Sequence, residues 1–229
     1  MARAAHFTPA LFDFLRELRA NNNREWFQAN KTRYEQVARD PMLRFIADFS
    51  VPLREISPHI LADPRPVGGS LFRIHRDTRF SKDKQPYKTM LAAQFRHASG
   101  RDVHAPGFYL HLEPDNVFYG GGLYHPDAAT LAKVRAAIVK KPQQWKKATS
   151  PDAFEDGATV WGEQLKRAPQ GFDPAHPLIE DLKRKDYVWI AQLDEPSACE
   201  PEFIDRFASA CRAAAPLVRF LTQALGQPF

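Results

Sequence analysis

Apolar residues recur at helical spacing through the first quarter of the chain. Leu11, Phe14, Leu15 and Leu18 stand at i, i+3, i+4 and i+7, which gathers them on one helix face. Thr8-Pro9 marks the start, Thr8 as N-cap and Pro9 where its missing N–H is not needed, with Phe7 placed to staple onto Phe12. Asn21-Asn22-Asn23 ends this helix and caps the next, which carries Trp26, Phe27, Tyr34 and Val37. Asp40-Pro41 repeats the cap-and-proline signal. It precedes Met42, Phe45, Ile46, Phe49, Leu53 and Ile56, a stripe expected to kink or break near Pro52. The pattern predicts an α-helical layer.

The period changes after the Pro/Gly-rich loop Ala62–Gly69. Leu71–Arg76 and Met90–Arg96 read as strands on either side of a polar loop. Phe108, Leu110 and Leu112 alternate with Tyr109, His111 and Glu113, the mark of a half-buried strand. Pro114-Asp115-Asn116 turns it back into Val117–Tyr119, and so tight a turn implies antiparallel pairing. Gly120-Gly121-Gly122 is read as closing that strand before a helix opening at Pro126 with Leu131, Val134 and Ile138 on one face. Pro142 and Ser150-Pro151 start shorter helical pieces holding Trp145 and Phe154. Pro177–Lys185 reads as helix, Tyr187–Leu193 as strand, and Pro201–Leu225 as a long helix that Pro216 should bend. The expected fold is α+β, a single domain over residues 1–229. A mainly antiparallel sheet is packed by N-terminal helices and a long C-terminal helix.

Composition narrows the class. Hydrophobic residues make up 44% of the chain, enough for a substantial core. No apolar run approaches the roughly 20 residues that span a bilayer, and Met1–Phe7 lacks the apolar centre of a signal peptide. No membrane association is expected. Cys199 and Cys211 fall in one predicted helix, about 18 Å apart at the helical rise, too far for a disulfide. A cytoplasmic location follows as the expectation.

Charge is what singles out one stretch. Residues 73–89 hold six cations (Arg73, Arg76, Arg79, Lys82, Lys84, Lys88) against two acids (Asp77, Asp83), which is +4 of the chain's net +5. Crowded like charges are costly unless solvated, paired or kept for an anion. Arginine forks suit phosphate or carboxylate, and lysine adds mobile charge. Strand placement puts Arg73 and His75 on one face and Arg76 on the other, so not all converge. Asp77, between Arg76 and Arg79, is expected to hold a guanidinium in place and thereby add stability. Phe80 and Tyr87 are expected to anchor the loop, Tyr87 also bordering the ligand.

The stretch Phe72–Lys88 (Phe-Arg-Ile-His-Arg-Asp-Thr-Arg-Phe-Ser-Lys-Asp-Lys-Gln-Pro-Tyr-Lys) closely resembles the signature of the uncharacterised family called domain of unknown function 2461. The likeness extends to Asn21–Phe27, Pro106–Tyr109, Gly120–Tyr124 and Leu165–Asp173, so it covers nearly the whole chain. The resemblance implies a single-domain α+β protein and assigns no catalytic residues.

Three further constellations are weighed beside the loop. His111-Leu112-Glu113, with Tyr109 on the same strand face, can act as an acid/base pair or as two metal ligands. His75, His97 and His104 are candidates for a third ligand; no metal is assigned. The glycine run can offer N–H groups to an anion or serve close backbone packing. There is no Gly-Lys-Ser/Thr and no dinucleotide fingerprint, and no cofactor is expected. No Gly-x-Ser-x-Gly elbow occurs, and Ser81, though set among cations, has no base marked for it. The expectation is binding of a phosphorylated or other anionic small molecule, or a short nucleic acid. Arg73, Arg76, Arg79, Lys82, Lys84 and Lys88 would make the contacts, with His111 and Glu113 for any acid/base chemistry. The alternative is a noncatalytic module docking the same loop on an acidic protein partner.

Overall fold

In the computed structural model, which describes residues 4–100, 105–150, 154 and 160–229, helix α1 (Pro9–Ala20) begins on an extended Thr8. It buries Leu11, Phe12, Phe14, Leu15 and Leu18. Asn23 caps α2 (Arg24–Ala29) by accepting the Trp26 N–H at 2.9 Å. Asp40 does not start a helix as expected. Helix α3 (Lys31–Tyr34) runs through a π-turn (Glu35–Arg39) into α4 (Asp40–Ile56) without a break. Asp40 has helical dihedrals and sends its N–H to Glu35, five residues back. Pro41 lacks the N–H a regular turn needs there, and widening the helix just before it accommodates the ring. Pro52 does not end α4, which continues to Ile56.

The sheet is an antiparallel meander ordered β1 to β5: β1 (Ile60–Leu61), β2 (Leu91–His97), β3 (Gly107–Glu113), β4 (Asn116–Leu123) and β5 (Tyr187–Leu193). The two-residue β1 was not foreseen. Leu71–Arg76, expected as a strand, makes only isolated bridges, Leu71 to Ala93 and His75 to Tyr87. Arg76 gives its N–H to the Pro86 carbonyl at 2.9 Å. Proline has no N–H to return, so this ladder cannot propagate into the loop.

After β4 come α5 (Ala128–Lys140), capped by Asp127 rather than opened at Pro126, and α6 (Pro142–Ala148). The helix expected from Ser150-Pro151 lies outside the described residues. Helix α7 (Ile179–Lys183) precedes β5, and α8 (Glu195–Ala198) and α9 (Phe203–Ala224) follow it. Cys199 therefore ends α8 while Cys211 lies inside α9, so the two do not share a helix; both are free thiols. Helix α9 continues past Pro216 and packs across β4.

Phe108, Leu110, Leu112 and Tyr119 turn to the helical side of the sheet, where Phe45, Phe49, Phe95 and Phe207 meet with neighbouring ring centres 4.7–6.2 Å apart. One connected core joins residues from Phe7 to Leu221. Helices α1–α4 precede the sheet, α5–α7 lie between β4 and β5, and α8 and α9 follow it, so helices pack on an antiparallel sheet in an α+β protein. Among the described residues no helix is long and apolar enough to cross a membrane.

The glycine run lies within β4, not after it. Gly120 and Gly122 pair with β3 on one side and β5 on the other, so this interior stretch does not project its backbone as an anion loop. A Cβ on Gly122 would come within 2.0 Å of the Tyr187 carbonyl oxygen, and its φ of +131° suits glycine alone. Close packing is what these glycines serve.

Candidate functional site

The basic loop is the tip of a hairpin-like excursion between β1 and β2. Its arms are tied by two bonds, Arg76 N–H to the Pro86 carbonyl (2.9 Å) and Lys88 N–H to the Ile74 carbonyl (2.8 Å). The root is fixed from outside as well. Asn22, in the α1–α2 turn, donates from Nδ2 to the Tyr87 carbonyl (3.0 Å) and accepts the Tyr87 N–H on Oδ1 (3.1 Å). One side chain thus pairs with Tyr87 as a neighbouring strand would. The Tyr87 ring, 2% exposed, stacks on Phe27 at 4.1 Å, with His75 against both. Tyr87 is therefore an anchor, and its burial removes it from any ligand-facing surface. Phe80 is the opposite of the anchor expected: it points out of the tip, 94% exposed.

The loop's charges fall into two kinds. Arg79 forks onto Asp77 (Nε–Oδ1 3.0 Å, Nη2–Oδ2 2.7 Å), and Arg76 pairs with Asp83. These bonds hold both carboxyls below their usual range. For Asp77 the Arg79 side chain is the main cause, followed by its N–H; for Asp83 it is Arg76, followed by the Gln85 N–H. The other four cations form no ion pair among the described residues, although the Arg73 charge helps to hold Asp77 low. Lys84 donates to the Thr78 carbonyl (2.9 Å) and Lys88 to the Arg73 carbonyl (3.0 Å), neutral partners that leave the charge uncompensated. Arg73 and Lys82 are exposed and make no ion pair among the described residues. Half-burial lowers the Lys88 pKa, and the Arg73 charge lowers it further. Two cations that repel one another beside a protein wall are relieved by an anion.

The polar row on β3 adjoins this root. Lys88 Nζ lies 5.1 Å from the centre of the Phe72 ring, whose edge meets Tyr109 at 6.0 Å. Tyr109 Oη is 2.9 Å from His111 Nδ1, and His111 Nε2 is 3.2 Å from Glu113 Oε2. The Phe118 ring stacks on the imidazole at 4.5 Å. Glu113 also accepts from Thr89 (3.1 Å), Asn116 (3.3 Å) and Arg19 (3.4 Å). Burial alone would raise the Glu113 pKa; the bonds from His111, Asn116 and Thr89 outweigh it and hold the group below its usual range. Burial lowers the His111 pKa against the pull of Glu113, and raises that of Tyr109, with Glu113 and Tyr124 adding to the rise.

Both directions favour an ionised Glu113 and a neutral His111 at neutral pH. An ionised Glu113 only accepts, so His111 Nε2 carries the hydrogen, and Nδ1 accepts from the Tyr109 hydroxyl. Hydroxyl, base and orienting carboxylate stand in one line, an arrangement able to move a proton along the strand face.

A third metal ligand is not brought to His111 and Glu113 among the described residues. His97 bonds Ser99 and the Pro228 carbonyl, His75 packs on Tyr87, and His104 is outside the described set. The cysteines are poor nucleophiles. Burial, with Glu195 nearby, pushes Cys199 up to about 11, and complete burial raises Cys211 well above its ordinary value. A separate hollow of about 360 Å3 between α5, α6 and α9 is rimmed by Lys133, Lys140 and Lys141 over Phe220. No acid or histidine lines it, so it offers charge without chemistry. Asn22 and Phe27 also build the site, and their part in it depends on contacts with Tyr87 that the Asn21–Phe27 block does not reveal by itself.

Residues 10–220 match the model of the family described as conserved hypothetical protein (DUF2461), and the chain belongs to that family. No curated protein and no solved structure matches it.

Proposed function

We propose that this protein binds a phosphate-bearing or otherwise anionic ligand, a small molecule or a short oligonucleotide, on the exposed side of loop 73–89. One observation carries the proposal. After Arg76 and Arg79 have taken the loop's two acids, Arg73, Lys82, Lys84 and Lys88 are in no ion pair among the described residues. Internal pairing therefore builds the loop, and the leftover charge is what a ligand meets. Arg76 and Arg79 are taken up by the loop's own acids, and the main contacts pass to Arg73, Lys82, Lys84 and Lys88.

Acid/base chemistry at His111 and Glu113 is the second element, favoured by the unbroken Tyr109–His111–Glu113 line beside Lys88. His111 Nδ1 is the base and Glu113 orients it. We take the 229 residues as one domain, given one connected core. Free cysteines fit a reducing cytoplasm.

The test is a thermal-shift screen with phosphate, sugar phosphates and nucleotides at low and moderate salt. A ligand at 100 times its Kd adds about 2.7 kcal/mol to stability, a readily measured rise in Tm. The rise should shrink with salt and vanish in an Arg73→Ala/Lys82→Ala variant. Equal shifts in variant and wild type would remove the anion site and leave docking on an acidic protein as the better account.

A further inference from the structure

Of the seventeen phenylalanines in the chain, Phe80 alone is exposed. It stands at the loop tip between Arg79 and Ser81, with no apolar residue within three positions on either side. Its one ring contact among the described residues is with Arg79, whose guanidinium carbon lies 5.8 Å from the ring centre. Arg79 is itself held by two bonds to Asp77, so a planar cation is fixed at the ring while most of the ring surface meets water. Lys82 and Lys84 follow two and four residues on, and Arg73 stands at the root.

We infer that the ligand of this loop is single-stranded nucleic acid and that Phe80 is the platform on which one base stacks. The inference rests on the anion-binding account of the loop and adds the base to it. Stacking on an aromatic ring tolerates any base, because every base has a π-face, and a neighbouring arginine strengthens it. The uncompensated cations supply the backbone contacts. The small number of such cations, on a chain otherwise near neutrality, suits a few nucleotides of single strand and not the extended face a duplex needs. A lipid surface fits less well. Insertion by one aromatic without apolar neighbours is weak.

The experiment measures fluorescence anisotropy of a labelled deoxythymidine 12-mer and of an abasic 12-mer with the same phosphate count. Tripolyphosphate serves as competitor, and its own binding is read by calorimetric titration. Wild type should prefer the thymidine strand by about tenfold, the scale of one stacked base. Phe80→Ala should bring it down to the abasic level without changing abasic binding or Tm, and Phe80→Trp should keep the preference. Arg73→Ala/Lys82→Ala should weaken both strands. Equal binding of the two strands by wild type would overturn the base platform while leaving the anion site standing. Phe80→Ala weakening both strands alike would overturn it too. If neither strand nor tripolyphosphate binds, both proposals fall. Should vesicles containing phosphatidylserine bind in a Phe80-dependent way while the oligonucleotides do not, the tip is a lipid anchor and the inference is wrong.

Discussion

The loop tip and the β3 row are both built of charged groups joined by hydrogen bonds, yet they differ in what those bonds do. At the tip, Arg79 and Asp77 meet in water, with 77% and 41% of their side chains exposed. Such a pair has little effect on stability, because solvent screens it and two mobile side chains must be ordered. On β3, His111 is 10% and Glu113 23% exposed. There each bond replaces water that cannot return, so losing a partner is costly. Similar chemistry thus sets shape in one place and stability and protonation in the other.

The comparison breaks most completely at the root that the two regions share. Tyr87→Ala removes a buried ring stacked on Phe27 and should cost about 3–5 kcal/mol by urea denaturation. Anion binding should fall with it, since the tip's position depends on this packing. A variant of normal stability would mean that the ion pairs, not the root, hold the loop.

Next in size is the β3 row. Glu113→Ala leaves His111 Nε2–H, Thr89 and Asn116 short of an acceptor and should cost about 1–2 kcal/mol. Its pH signature is distinctive. Both His111 and Glu113 titrate lower in the folded protein than in the unfolded chain, so the unfolded state binds more protons as the medium is acidified. Stability should fall first as pH drops below the ordinary histidine value of about 6.5, then again below the ordinary glutamate value of about 4.3. His111→Gln should flatten the first step and Glu113→Gln the second. Profiles that match wild type would show the row to be solvated.

Smallest of all is Asp77→Ala. A single acid between two arginines invites the expectation that it stabilises the protein, but the open pair found here predicts an unchanged Tm. The change should be in the aim of Arg79 alone. A clear drop in Tm would erase the distinction between tip and row.

Much of this was legible in the chain because local rules were obeyed. Helix stripes, the Asn23 cap, the alternation at Phe108–Glu113 and the turn at 114–116 each depend on neighbours in sequence. The coincidence of Tyr109, His111 and Glu113 follows from the two-residue strand period. What escaped depends on distant partners. Asn22 reads as one of three polar turn residues, and nothing local reveals that it pairs with Tyr87, 65 positions away. Phe80 and Tyr87 look alike in the sequence, but only Tyr87 has a Phe27 to meet. The π-turn escaped because Asp40-Pro41 is a good helix start by itself, and only the continuity of the preceding helix overrides it.

The central claim is that the cations left unpaired, and not the loop's charge as a whole, bind the anion. Calorimetric titration of tripolyphosphate into three proteins at two salt concentrations tests it directly. Arg73→Ala/Lys82→Ala removes two unpaired cations, whereas Asp77→Ala/Arg79→Ala removes one pair whole and leaves the net charge as it was. Wild type and the pair-deleted protein should bind alike, both more weakly at higher salt, and Arg73→Ala/Lys82→Ala should lose about tenfold or more, the scale of charge-assisted contacts. Undiminished binding by Arg73→Ala/Lys82→Ala, or its loss in the pair-deleted protein, would contradict the claim.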